Sequence, residues 1–521
     1  MNNEDVKLKS KKQFESWFIP EPLLIFGNGN THIDPKLGLS LYGPLKANNS
    51  NTPSPMSIRV GVIGTGETIG LTTQFINRLN GEIKSNVIEP FQNPPFPGFK
   101  TIFDCTLVQS ESYNEIIPNS SIHNATNKPT FEERVNAAAK LFITGIENIN
   151  ERVPKPEVII CALPQEIIDF CVVRKSSTGI IKKKKNKEEK KLIKTLLKHK
   201  DNQQGFLDGF GETAEQILSD EIMTGNFWKK IKIDAMKFGI PTQIAWPSTL
   251  IPRESLKGRQ KRQDDSTTAW NFAVALYYKG SGFPWTMTKM EKGTCYVGIS
   301  FFKDPTDVNN RMRTSLAQIF TYTGEGLVLR GDEFEWDSEK GKSPHLTGDN
   351  ACELLKKAIS MYTRQMNQPP TRVVIHKSSR YWPEEKKGFE TALEGITYHD
   401  LITIGTRGIR FFRYGQYPPL RGTVVKLSSK NYILYTKGYI PYLRTYPGPH
   451  IPVPLEILEH HGDSPQETIL AEILSLSKMN WNSADFGLAT PITLLFSKRV
   501  GELMASLPKD VEPQHEYRYY M

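Results

Sequence analysis

The chain has 521 residues, a formal net charge of +10, 38% hydrophobic and 23% charged residues. That is room for two to four domains with full cores, at roughly 100–200 residues each, and the makeup of a globular protein rather than a disordered or fibrous one. No apolar run reaches the roughly 18 residues of a membrane helix, and the opening MNNEDVKLKSKKQF has no signal-peptide core. The five cysteines, Cys105, Cys161, Cys171, Cys295 and Cys352, form no Cys-x-x-Cys pair and are odd in number. This argues against a disulfide scaffold and fits a reducing cytoplasm, and the net charge is consistent with a polyanionic partner without demanding one.

Residues 13–50 are dense in Pro and Gly, which predicts an extended arm with turns rather than a helix. His32 has no partner at ligand spacing and reads as structural. From Ser57 the pattern alternates strand and helix: SIRVGVIG, then TIGLTTQFINRLNGEI. The link Gly64–Gly70 offers a helix N-terminus after a strand, the geometry of an anion site. Its spacing, however, is G-x-G-x-x-x-G, Glu67 would sit against a pyrophosphate, and no acidic residue ends a second strand at the required distance. It reads as a structural turn in a doubly wound α/β sheet.

FKTIFDCTLV and PEVIICALP read as two buried strands, with FEERVNAAAKLFITGIENIN as an amphipathic helix between them. A basic insertion follows at about 174–204, with ten lysines from Lys182 to Lys200. It reads first as a solvated loop, and alternatively as an arm that rides on nucleic-acid phosphates.

The stretch from Asn226 to Trp285 organises the chain. Two amphipathic helical patterns flank a short strand, Thr242–Ala245, and three polar residues stand out: Lys232, Gln243 and Lys279. Two amines and an amide converging on one point suit a terminal phosphate better than a carboxylate, which more often recruits the arginine fork. An aromatic, three residues, Lys, then GIPTQ, then a helix ending in YYKGSGFPW resembles the MID domain of Argonaute proteins. The resemblance assigns Trp228, Lys232, Gln243 and Lys279 to the 5′ phosphate of a guide strand, with Trp228 stacking on the first base. LIFGNGN…DPKLGLSLYGPL in the arm likewise resembles the lead-in of short prokaryotic Argonautes.

The second half supplies strands CYVGISFF, GEGLVLRG, RVVIHKSS, ITYHDLITI, TVVKLSS and YILYTKG. Helices are read in NACELLKKAISMYTRQM, EEKKGFETAL, ETILAEILSLSKM and PITLLFSKRVGELMASL. KGSGFPW leading to VGIS, and later VVIHKSS, resemble a PIWI domain of ribonuclease H-like fold. Slicing relatives place metal-binding aspartates where this chain has Ser300 and Ser378, and a final ligand near Leu494 and Leu495. A hydroxyl does not replace a carboxylate as an anchor for Mg²⁺. Asp304 is four residues from Ser300, and Glu325 alone would be idle, so the expectation is a chain that does not cut.

The expected organisation is an arm (1–50), a Rossmann-like MID domain (51–270) and a PIWI-like domain (271–521), with no PAZ domain. The resemblance implies a guide-binding subunit in prokaryotic immunity. It would hold a small guide RNA and recognise complementary single-stranded DNA. A partner with an APAZ region would carry the effector, sirtuin-like, TIR or nuclease, in a heterodimer. It also implies that the terminal carboxylate of Met521 shares a Mg²⁺ with the guide phosphate, the alternative being a frayed terminus. Other readings remain open: a slicer using non-standard acids, a nucleotide-binding enzyme using the Gly64–Gly70 turn, and a nonspecific basic RNA-binding protein.

Overall fold

The computed structural model describes residues 14–45, 54–87, 91–172, 175–176, 179–180, 227–253, 263–288, 291–303, 312–320, 326–334, 344–406, 409–414, 418–448, 451–504 and 514–521. Most of the basic insertion, including Lys182–Lys200, lies outside these residues, as do Asp304 and Glu325.

A four-stranded, all-parallel sheet has the order Thr106–Ile116, Ser57–Gly64, Val158–Ala162, Thr242–Ala245. Its inner strands are apolar on both faces because helices cover both. One of these helices, Phe131–Asn150, has the predicted bounds and a Thr130–Glu133 capping box. The other, Gly66–Leu79, starts at the Gly64–Gly70 turn, which the structure closes on itself. Thr65 caps the helix through Thr68 N at 3.3 Å, while the Thr68 hydroxyl donates to the Ala162 carbonyl at 3.0 Å. Two backbone N–H groups of the turn, those of Thr65 and Thr68, are thereby taken by its own threonine hydroxyls.

A nine-stranded sheet runs Glu15–Phe18, Thr423–Lys426, Tyr432–Leu434, Leu455–Gly462, Tyr398–Thr406, Arg372–Lys377, Thr294–Lys303, Met312–Phe320, Gly326–Phe334. Its three central strands, 294–303, 372–377 and 398–406, are parallel. Side chains alternate across it: Val297, Ile299, Val373 and Ile375 pack with Leu354, Leu355 and Phe389 of helices Gly348–Met366 and Pro383–Ala392. Tyr296, Val374 and Ile402 face helices Gln466–Leu476 and Ile492–Met504 on the other side. The α/β architecture expected from the pattern is the one observed.

Local expectations differ in four places. The arm carries a helix, Pro35–Tyr42, because Asp34 caps it through Lys36 N and Leu37 N and Pro35 sits in its first turn. The arm also enters the large sheet as its edge strand, Glu15–Phe18. FKTIF is a helix, Phe99–Phe103, rather than a strand: its buried residues fall at 99, 102 and 103, and the tilted rings of Phe99 and Phe103 pack with centroids 4.8 Å apart. The segment Asp265–Lys279 is buried almost all round rather than on one stripe. It joins the cores of both sheets, so the expected boundary at residue 270 falls within this helix.

Candidate nucleic-acid interface

Lys232, Gln243 and Lys279 reach one place from three elements. Residues 227–236 are helical and carry Lys232, Gln243 sits on the outer strand of the four-stranded sheet, and Lys279 ends the buried helix. The Lys232 ammonium donates to the Thr242 carbonyl, and that of Lys279 to the Gln243 side-chain carbonyl. Gln243 in turn donates to the Ile244 carbonyl at 3.1 Å. Lys232 is 1% exposed and Lys279 2%. Neither has a carboxylate partner among the described residues, against the usual rule that buried charges are paired. Burial pulls Lys232 down to about 7. Burial, and then the charge of Lys232, hold Lys279 well below the ordinary lysine range. Trp228 is half-buried and packs against the main core, one turn of helix before Lys232.

Sequence reasoning missed Cys161. It pairs in register with Ile244, feels both lysines, and has its thiol pushed up to about 12 by burial. A strand neighbour is set by sheet order, which nothing local in the sequence announces.

The C-terminal segment is bound to the same region rather than frayed. Gln514 Nε2 donates to the Met236 carbonyl at 2.9 Å and Tyr519 Oη to the Gly239 carbonyl at 3.2 Å, while Arg518 donates to Ser281. Those acceptors flank the elements bearing Lys232, Gln243 and Lys279. Tyr517 stacks on Phe496, and Met521 is buried at 6% exposure.

In the large sheet, strands 294–303 and 372–377 are in parallel register up to Ile299 opposite Lys377. Ser300 and Ser378 are the residues that follow this last pair on each segment, both half-buried. The last helix adds no acid to them: Leu494 and Leu495 are buried in the core, and Thr493 meets the sheet instead. The Thr493 hydroxyl lies 2.8 Å from His376 Nδ1, and its carbonyl packs directly on Gly298, where a Cβ would collide with it. Nearby Glu459 is held by Arg380 at 2.9 Å, Tyr381 N at 3.1 Å and the Thr403 hydroxyl at 3.0 Å. Among the described residues, no group of three or more His, Cys, Asp or Glu side chains is arranged to hold a metal ion.

No protein-family model matches the chain. Two Argonaute proteins do, that of Aquifex aeolicus at 23% identity over 298 residues and that of Cereibacter sphaeroides at 24% over 303. The chain is a homologue of the Argonaute proteins. These matches cover 56% and 52% of this chain but 38% and 37% of the two relatives. Solved structures extend the likeness in fold to nearly the whole chain. Clostridium butyricum Argonaute bound to a guide DNA and a target DNA superposes with a TM-score of 0.59 at 15% identity, over 96% of this chain and 54% of that one. Drosophila Piwi gives 0.56 at 13%, over 97% and 56%. Marinitoga piezophila Argonaute in complex with a 5′-hydroxyl guide RNA gives 0.54 at 13%, over 97% and 59%. This homologue thus spans about half the length of the Argonaute structures it matches. Among the described residues no helix is long and apolar enough to cross a membrane.

Proposed function

We propose that this Argonaute homologue binds the 5′ phosphate of a small guide strand and uses the guide to recognise a complementary strand. The observation that carries the reading is the pair of buried lysines without a carboxylate partner among the described residues, Lys232 on the Thr242 carbonyl and Lys279 on the Gln243 side chain. Two such ammoniums favour a compact dianion, and Trp228, partly exposed one turn away, offers a ring to the first base. Base pairing would supply specificity while the protein reads backbone and guide end. An RNA guide, a single-stranded DNA target, a role in defence, and an APAZ-containing partner with an NAD-degrading or nuclease effector are the finer parts of this reading. They rest on the resemblance to short prokaryotic Argonautes.

The lysine pair fits a bare phosphate better than one bridged by Mg²⁺. Two ammoniums repel a divalent cation, and beyond the guide's own phosphate the oxyanion that the resemblance offers such an ion is the terminal carboxylate of Met521. We further propose that the chain cuts neither strand, because Ser300 and Ser378 present hydroxyls where adjacent strand ends would need carboxylates. The nucleotide-enzyme alternative is weakened by Thr65 and Thr68 closing the Gly64–Gly70 turn.

The test is guide affinity with and without a 5′ phosphate, for the wild type and for Lys232→Ala with Lys279→Ala. Each lost charge-assisted hydrogen bond should cost about 1.5–3 kcal/mol. A phosphate preference that vanishes in the double variant supports the pocket. Equal binding by all four combinations leaves only a basic surface.

A further inference from the structure

We propose that this pocket takes up its phosphate together with protons, so that loading is an acid-favoured, proton-linked step. The inference rests on the guide-pocket reading above and goes beyond it to how the site is controlled.

The acceptors of both Nζ groups are uncharged, the Thr242 backbone carbonyl and the Gln243 amide carbonyl. A neutral amine can also donate to such acceptors, more weakly than an ammonium, so these contacts do not require charge. Among the described side chains, no carboxylate pairs with either Nζ, and those nearby are held by other cations. From the neighbouring strand comes Cys161, whose thiol burial keeps protonated. On the helical residues 227–236, Lys229 and Lys230 pair outward with Glu502 and Asp234, each at 3.6 Å. From the C-terminal segment, Arg518 is paired with Glu516, and the Tyr519 phenol is shifted upward by burial. Tyr278, beside Lys279, is buried in the core. The terminal carboxylate of Met521 belongs to the same segment.

Two like charges in a dry site without an anion repel each other and lose their hydration, and shedding protons relieves both costs. Burial accordingly draws Lys232 to about 7 and, with the Lys232 charge added, Lys279 well below its usual range. A phosphomonoester has its second pKa near about 6, so at neutral pH and above it arrives as a dianion with no proton to give. Its two charges favour the ammonium forms, and solvent provides the protons. The sign follows: affinity falls as pH rises above about 7, up to about tenfold per pH unit for each proton taken up.

The test is calorimetric titration of the full chain with one oligonucleotide in 5′-phosphorylated and 5′-hydroxyl forms. At about pH 8 it is run in buffers of different ionisation enthalpy, and the affinities are then compared between about pH 7 and pH 9. The phosphorylated form should show a binding enthalpy that varies with the buffer, equivalent to uptake of about one to two protons, and a phosphate preference that shrinks at least about tenfold across that range. The hydroxyl form should show neither. Lys232→Met and Lys279→Met should each reduce the uptake. A phosphate preference that is independent of buffer and flat with pH would overturn the proposal, as it would if the Met521 carboxylate were a resident counter-ion, while leaving the guide pocket standing. No phosphate preference at any pH would overturn both.

Discussion

At the residue scale, unpaired burial has a signature in stability as well as in binding. Lys232 has a folded-state value of about 7 against 10.5 for an ordinary lysine, so between these the unfolded chain binds more protons than the folded one. Its contribution therefore rises as pH rises through that window and is lost as pH falls toward the folded value. The ligand-free wild type should gain melting temperature between about pH 7 and pH 9 relative to Lys232→Met, and saturating phosphorylated guide should flatten the difference. A curve parallel to that of the variant would mean that Lys232 stays charged. The opposite situation holds at Arg372, whose guanidinium binds Asp400 at 2.8 Å and Glu472 at 3.0 Å, all buried. Arg372→Ala strands two carboxylates in the core and should cost about 3–5 kcal/mol in denaturant unfolding. The lysines and Gln243 were legible in the sequence because two amines and an amide in that order are an unusual set. Cys161 was not, since its place beside them follows from sheet order.

At the scale of elements, the C-terminal segment and the arm act as clasps. Tyr517 is 1% exposed and stacks on Phe496, so Tyr517→Ala should cost about 3–5 kcal/mol and loosen the segment. If hydrogen exchange at 514–521 were unchanged in that variant, the segment would be held by its other contacts. Asp34→Ala removes the cap of Pro35–Tyr42 and should cost about 1 kcal/mol, read as a drop in melting temperature. Long, strongly periodic elements such as Phe131–Asn150 were legible because one buried face repeats over many turns. Besides the arm's edge strand Glu15–Phe18, two strands of the large sheet escaped notice. MRTSLAQIF, Met312–Phe320, lacks regular alternation, and LEILEHHG, Leu455–Gly462, is rich in residues that suit a helix equally well. FKTIF misled because short apolar runs carry no decisive period.

At the scale of the whole molecule, the two sheets divide the work proposed here: the parallel four-stranded one holds a guide end, and the nine-stranded one offers a floor without metal ligands at Ser300 and Ser378. Guide-loaded protein mixed with a complementary strand and Mg²⁺ should leave that strand intact, as resolved on a denaturing gel. Metal-dependent products that disappear in Asp304→Ala or Glu325→Ala would defeat this.

The edge strand Glu15–Phe18 pairs with Thr423–Lys426, and behind it Glu21 is held by Arg421 at 3.0 Å and Lys478 at 2.8 Å. On the ribosome, then, this strand waits for partners encoded about 400 residues later. At about 5–20 residues per second that is a wait of roughly 20–80 seconds, during which the sheet edge Phe14–Phe18 emerges long before the surface it belongs to.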